Sequence, residues 1–206
     1  VLDLLTQTQY FRINQIIDWS EYEEKNLFLE GTGSMILDRP NKIIYAALSE
    51  RTSEELLKHY AQEIGYALVA FRSYHKVKQK KALIYHTNVM LCIAQYYCVV
   101  CLECITDLTE RNALIESLKR TNKEIIELSL DQINHFAGNM LEAHNDANES
   151  FLIMSSRAYN SLNIDQIAQI EQYGKIIYSP LPTIENYGGG SARCMLAEIF
   201  LPKKEK

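Results

Sequence analysis

The chain has 206 residues, 47% of them hydrophobic, enough for one sizeable core or a single ring-like domain and too few for several independent ones. With 21 Lys+Arg against 26 Asp+Glu the net charge is -5, so no domain-scale basic excess points to a phosphate backbone, and no nucleic-acid partner is expected. No apolar run approaches the ~20 residues of a bilayer span, and five cysteines, four of them crowded between Cys92 and Cys104, do not read as a disulfide framework; no membrane partner and a reducing, cytoplasmic setting are expected.

The chain opens on Val1-Leu2-Asp3 in mid-pattern without an initiator Met, so residues are expected to precede it. The segment from Val1 to Phe11 reads as the end of a helix, and Ile13 to Trp19 as a strand, the tail of a preceding unit. A pattern then begins that occurs three times. Its first copy, residues 28–71, has a short strand at Ser34-Met35-Ile36-Leu37, a turn at Asp38-Arg39-Pro40-Asn41 and an apolar strand from Ile43 to Leu48. A helix follows, with Thr52-x-x-Glu55 to cap its start and Gly65 its end, and with Leu56, Leu57, Tyr60 and Ile64 on one face. Ala67 to Phe71 closes the unit as a strand. Lys76, Lys78, Lys80 and Lys81 come next and read as a solvated hairpin rather than a nucleic-acid patch.

The second copy, residues 83–129, uses Asn88-Val89-Met90-Leu91, a strand from Val99 to Cys104, a helix from Thr109 to Thr121 and a strand from Glu124 to Ser129. Cys98-x-x-Cys101-x-x-Cys104 has a zinc-like spacing, but it lies in a β-branched apolar run, and residues three apart on a strand face opposite ways, so structural thiols are expected and no metal. The third copy, residues 134–180, uses Asn139-Met140-Leu141, a strand from Phe151 to Ser155, a helix opened by Asn163-x-x-Gln166 and stopped at Gly174, and a strand from Lys175 to Ser179. A last partial copy, residues 188–206, starts a strand at Cys194-Met195-Leu196.

Met35, Met90, Met140 and Met195 thus mark a ββαβ repeat of roughly 50–55 residues. Incomplete units at both ends predict a closed, propeller-like ring in which one partial unit completes the other, all within one domain spanning 1–206. Equivalent positions in such a ring surround one axis. Glu30, His86, Asn88, His135, Asn139 and Cys194, each just ahead of or beside a methionine strand, should therefore gather at one central cleft.

Cys194 follows Gly188-Gly189-Gly190-Ser191-Ala192-Arg193. A thiol entered through flexible glycines is placed as a nucleophile, although a buried structural cysteine after a turn has the same local pattern. His86 on its strand is a core histidine or a catalyst, with His135 its competitor. Glu30 beside Gly31 is a turn residue or a buried, partnered acid. Asn139 is a strand-end amide or a substrate contact, and Arg193 an outward salt bridge, a ligand for a substrate carboxylate, or a cation acting on Cys194. His59, His75 and His144 carry no expected role.

Phe28-Leu29-Glu30-Gly31-Thr32-Gly33-Ser34, Tyr85-His86-Thr87-Asn88-Val89-Met90 and Gly188-Gly189-Gly190-Ser191-Ala192-Arg193-Cys194-Met195 resemble the motifs of the guanidine-modifying (pentein) superfamily, which includes amidinotransferases, arginine deiminases and dimethylarginine hydrolases. Within it they are most similar to the bacterial amidinotransferase-like CtlX branch. The resemblance implies an α/β propeller of five ββαβ modules, of which this chain holds three complete and two partial, the first module and part of the second being absent. It implies Cys194 as nucleophile on the central carbon of a guanidino or ureido small molecule, His86 as acid and then base, and Glu30 as the carboxylate that holds the imidazole. It implies no cofactor and allows a homodimer. Asn88 departs from the pattern, since many members carry there a carboxylate that grips the guanidinium; a neutral amide offers no countercharge and leaves room for a ureido or substituted guanidino compound. The rival expectation is a non-catalytic binding or assembly protein on the same propeller, which would have no need of Cys194, His86 and Glu30 together.

Overall fold

The structure, a computed structural model, describes residues 2–7, 10–77 and 80–204. Val1, Lys78 and residues 205–206, which enter the sequence expectations above, lie outside the described residues. A helix, α1 (Leu2–Gln7), is followed by residues 12–19 without regular structure, so the strand expected at Ile13 to Trp19 is not formed. Its backbone instead starts a short antiparallel contact with the far end of the chain: Phe11 bridges Lys203, the Arg12 N–H donates to the Pro202 carbonyl at 2.8 Å and the Lys204 N–H to that of Tyr10 at 2.9 Å. This contact joins residues 10–12 to residues 202–204 without a strand on either side.

The first unit comprises α2 (Gly31–Ser34), β1 (Met35–Asp38), β2 (Ile43–Ala47), α3 (Glu54–Ile64) and β3 (Ala67–Phe71), in the strand order β1-β2-β3. β2 is antiparallel to β1 and parallel to β3, a central strand covered on both faces, which is why Ile44, Tyr45, Ala46 and Ala47 are all 0% exposed. The crossover helix α3 buries Leu56, Leu57 and Ala61 and ends on Gly65 in the left-handed region. Its cap is Ser53, whose side chain accepts from the Leu56 N–H, not the expected Thr52. Thr52 exchanges backbone hydrogen bonds with Ser49, which delays the helix by one residue.

A hairpin of β4 (Tyr74–Val77) and β5 (Lys80–Leu83) follows, with Lys76 opposite Lys81, as the lysine cluster predicts. The second unit is β6 (Leu91–Ile93), β7 (Tyr97–Val100), α4 (Leu108–Arg120) and β8 (Glu124–Glu127). Here the strand expected to run to Cys104 stops at Val100, and Leu102–Cys104 forms a 3-10 turn, so Cys101 and Cys104 are off the strand. Thr87–Val89 is likewise a 3-10 turn instead of a strand start, and α4 is capped by the Asp107 carboxylate. The short helix α5 (Leu130–Asn134) leads to the third unit: β9 (Leu141–His144), β10 (Ser150–Ser155), α6 (Ser156–Ser161), α7 (Ile164–Glu171) and β11 (Lys175–Ser179). Asn163 and Gln166 form the expected capping box. Gly174 is not the cap of α7, which ends at Glu171; a Cβ there would stand 2.5 Å from the Ser150 carbonyl oxygen. The last copy is a 3-10 turn, Ala192–Met195, with no strand.

The result is a mixed α/β fold of small separate sheets, three of which repeat the same ββαβ build. Successive units are locked through buried polar contacts. Lys123 and Asp38, both with side chains 1% exposed, pair at 3.1 Å, and the same ammonium donates to the carbonyls of Ala94 and Gln95. α4 packs on β3, while Gln166, Gln169 and Tyr173 reach Glu127 and Glu124 of β8. The first strands β1, β6 and β9 are neighbours and line a cavity of about 390 Å³ together with Arg193, Glu198 and Phe200. Among the described residues no helix is long and apolar enough to cross a membrane.

Candidate active site

The turn carrying Cys194 is tied down on three sides. Tyr85 donates its hydroxyl to the Gly189 carbonyl at 2.7 Å, Asn139 Oδ1 accepts from the Arg193 N–H at 3.0 Å, and Ser191 donates to the Glu185 carboxylate at 2.8 Å. Gly189 is in the left-handed region at φ 71. Gly190 must lack a side chain for another reason: a Cβ there would lie 2.9 Å from the Cys194 Cβ and 3.0 Å from its sulfur. Cys194 itself is exposed, which removes the reading of it as a buried structural thiol.

Two amides face its sulfur. Asn139 Nδ2 stands 3.3 Å and Asn88 Nδ2 3.6 Å from Sγ. Asn139 is 2% exposed, and its remaining capacity goes to the Asn88 carbonyl and the Arg193 N–H, so each of its polar atoms is engaged within the protein. Asn88, also 2% exposed, differs: its Oδ1 is buried without a hydrogen-bond partner. A buried acceptor left unpaired costs about 1–3 kcal/mol.

Two residues before Asn88, His86 Nε2 lies 2.7 Å from Glu30 Oε2. Of the two readings of Glu30, the structure shows the partnered acid without its burial, the side chain being 43% exposed beside a 14% exposed imidazole. Thr87, 0% exposed, positions this segment: its hydroxyl donates to the Ser34 carbonyl and accepts from the Ala47 N–H, so the first unit, which holds Glu30, grips the residue next to His86. Gly33 lets the ring in, since a Cβ there would meet it at 2.7 Å.

Tyr85 and Arg51 belong to the same cluster and were missed from sequence. The Tyr85 ring lies 4.9 Å from that of His86, tilted at 55°, and burial, then the neighbouring Cys194 thiol, push its phenol up while Arg51 opposes them. Arg51 stands 3.6 Å from Glu30 and 5.2 Å over the Tyr85 ring. Tyr85 had a signal, adjacency to His86; Arg51 sits in a turn with no periodic pattern to mark it. Arg193, 6% exposed, turns away and donates to Leu196 O and to Glu198 at 3.1 Å, lining the cavity of about 390 Å³. His135 bonds Asp131 and lines a separate cleft with Arg157 and Glu185; none of its bonds reaches Cys194, His86 or Glu30. Among the described residues no group of three or more His, Cys, Asp or Glu is arranged to hold a metal ion. Cys92 and Cys98 are fully enclosed, and burial pushes both thiols up to about 12.

An exposed thiol faced by the amides of Asn88 and Asn139, and an imidazole held by a carboxylate two residues before Asn88, are groups of the kind that nucleophilic attack with proton transfer uses. The sequence profile of the family described as N,N dimethylarginine dimethylhydrolase, eukaryotic, matches residues 1–201. The chain belongs to that family. Membership confirms the wider pentein assignment drawn from the motifs, without singling out the CtlX branch within it. No curated protein sequence matches the chain. Among solved structures it is similar to ArgZ, an arginine dihydrolase from the ornithine-ammonia cycle in cyanobacteria (TM-score 0.61, 19% identity, 85% of this chain and 26% of that one). The N-terminal domain of a variant of the same protein, covalently bound to a reaction intermediate, matches with a TM-score of 0.62 at 19% identity over 89% of this chain and 65% of that one. SxtG, an amidinotransferase from Microseira wollei in the saxitoxin biosynthetic pathway, matches at 0.51 and 15% identity over 79% and 42%. At these identities the likeness shows a shared fold, and this family member spans less than two thirds of each of those chains.

Proposed function

We propose that this chain is the greater part of a five-module α/β propeller and acts as a thiol-dependent enzyme on a C–N bond of a guanidino or ureido amino-acid derivative, as a hydrolase or an amidinotransferase. The observation that carries the reading is the 2.7 Å contact of His86 with Glu30, together with an exposed Cys194 whose sulfur faces the amides of Asn139 and of Asn88, two residues after His86. Cys194 attacks the central carbon as thiolate. His86, held by Glu30, gives a proton to the departing amine, leaving the carbon bound to sulfur. It then takes a proton from the water or acceptor amine that displaces the sulfur. Arg51, half-exposed beside Glu30 and Tyr85, stands where it can meet the substrate's carboxylate. The unpaired Oδ1 of Asn88 is an acceptor for a substrate N–H, and Asn139 acts on Cys194 rather than on substrate.

Support for further modules comes from the packing. β3 is covered by the helix of the next unit and β8 by the helix end of the one after, whereas β11 leaves Ile177 and Tyr178 48% and 50% exposed. In a ring that face receives another module. Five free cysteines fit a reducing, cytoplasmic setting.

The test is intact-mass analysis and amine release with a panel including arginine, N,N-dimethylarginine and ureido analogues, run beside Cys194→Ser. An adduct or released amine from wild type alone supports the enzyme. No adduct and no product across the panel, with tight binding of a protein partner, would replace it with the binding-module reading.

A further inference from the structure

A charged side chain is buried behind the Cys194 turn where an apolar one would pack as well. Glu185 has a side chain 2% exposed, and taking a carboxylate out of water costs several kcal/mol unless its partners are well placed. One carboxylate oxygen accepts the Ser191 hydroxyl at 2.8 Å; the other meets Arg157 Nε at 3.3 Å. Arg157 lies on α6, directly after the central strand β10, and its guanidinium also donates to Asn186 at 2.8 Å and lies 5.6 Å over the Phe136 ring. Phe136 in turn accepts, through its carbonyl, the N–H of Asn139. On the other side Ser191, 0% exposed, accepts the Cys194 N–H on its own carbonyl at 3.1 Å. The thiol is therefore connected to the third sheet through Ser191, Glu185 and Arg157 in sequence.

The segment so anchored needs anchoring. Ile184–Gly188 is a π-helical turn, a geometry concentrated at functional sites, that ends on the first of three consecutive glycines, of which Gly189 is left-handed. Such a stretch has many accessible conformations, and few of them put sulfur beside Asn88 and Asn139. We propose that Glu185, braced by Arg157, is a positioning residue for Cys194: it holds Ser191, and with it the turn, in the attack geometry before substrate arrives. Neither Glu185 nor Ser191 has a bond to Cys194 Sγ, His86 or Glu30, so the pair acts through the backbone and not on reacting atoms. The inference rests on Cys194 being the nucleophile.

The experiment uses chloroacetamidine, an electrophile with an amidinium head, and iodoacetamide, which has no cation to orient, on wild type, Ser191→Ala and Glu185→Gln. Labelling at Cys194 is followed by mass spectrometry, with thermal midpoints recorded. Ser191→Ala removes one hydroxyl and leaves the Arg157 ion pair intact. For chloroacetamidine its limiting rate is expected to fall about ten-fold or more, the penalty of a reacting atom out of place, with the half-saturating concentration within about two-fold. Iodoacetamide should label it at the wild-type rate. Glu185→Gln keeps an acceptor for Ser191 and is expected to lose less, about three-fold. A Ser191→Ala limiting rate within two-fold of wild type overturns the positioning role, as does a fall only in step with a lost thermal midpoint or with equal slowing of iodoacetamide. Wild type unlabelled by chloroacetamidine removes the nucleophile reading, and the positioning role with it, a result distinct from equal labelling of both proteins.

Discussion

Gly33→Ala tests whether the Glu30–His86 contact is the working part of the site. Gly33 lies in α2 outside the left-handed region, where alanine is the better helix former by up to about 1 kcal/mol, so the substitution carries no backbone penalty. What it meets is the imidazole: the new Cβ would be 2.7 Å from Cε1 and Nδ1 of His86. Carbon atoms rest at about 3.5–4.0 Å, so the ring must withdraw by about 1 Å. Starting from 2.7 Å, the bond to Glu30 then opens beyond hydrogen-bonding range. A displacement of that size is worth about 10²-fold in rate. The assay is steady-state amine release from the compound that wild type turns over, with a thermal melt alongside. Unchanged or raised stability with turnover reduced about 100-fold is expected. Turnover within two-fold of wild type would refute the argument, and so would a loss explained by unfolding.

The buried ion pair between units is the next target: Lys123→Met leaves the Asp38 carboxylate without its cation, with the Asn41 amide left to bond it, and is expected to cost about 3–5 kcal/mol, or about 6–20 °C in thermal midpoint. A double-mutant cycle with Asp38→Asn should show strong coupling; additive losses would count against the pair. Thr87→Val leaves the Ser34 carbonyl and the Ala47 N–H buried without their side-chain partner, for an expected loss of about 2–4 kcal/mol in urea denaturation, and a loss under 0.5 kcal/mol, on the order of a neutral surface change, would contradict it. Burial raises the Cys92 and Cys98 thiols from 9.0 to about 12, so the unfolded chain releases these protons first as pH rises. The folded state then holds more protons between those values, and stability, intact below about pH 9, falls by about 1.4 kcal/mol per pH unit per thiol above it. In urea midpoints taken from neutral to alkaline pH, Cys98→Ala should lower that slope by one thiol's share, about 1.4 kcal/mol per pH unit, between about pH 9 and 12; an unaltered slope would place its origin elsewhere. In the native protein near pH 8, iodoacetamide should modify Cys194 and spare the four buried thiols.

The site has an uneven charge design. Glu30 is engaged by His86 and Arg51, Glu185 by Arg157, Glu198 by Arg193, while the residue nearest the sulfur with spare capacity, Asn88, is neutral. Under the proposed function, the groups on offer to a substrate are the unpaired Oδ1 of Asn88 and the half-exposed Arg51.

Local pattern was sufficient for the repeated unit. The apolar run from Ile43, the one-sided spacing of Leu56 and Leu57, the box at Asn163 and Gln166 and the strand from Lys175 to Ser179 are short-range features, and short-range physics sets them. The motifs around Glu30, His86 and Cys194 could also be read directly, because each is a run of neighbours. Where the sequence misled, a distant partner overrode the local preference. Ile13 to Trp19 has strand composition but belongs to no described sheet, the Arg193 N–H in the turn before Cys194-Met195-Leu196 is claimed by Asn139, and the strand through Cys98 stops at Val100. The parts proposed for Arg51, Ser191 and Glu185 were not legible for the same reason. Their significance lies in bonds spanning tens of positions or passing through a backbone turn, and such closures depend on how whole units pack, which no window of neighbouring residues contains.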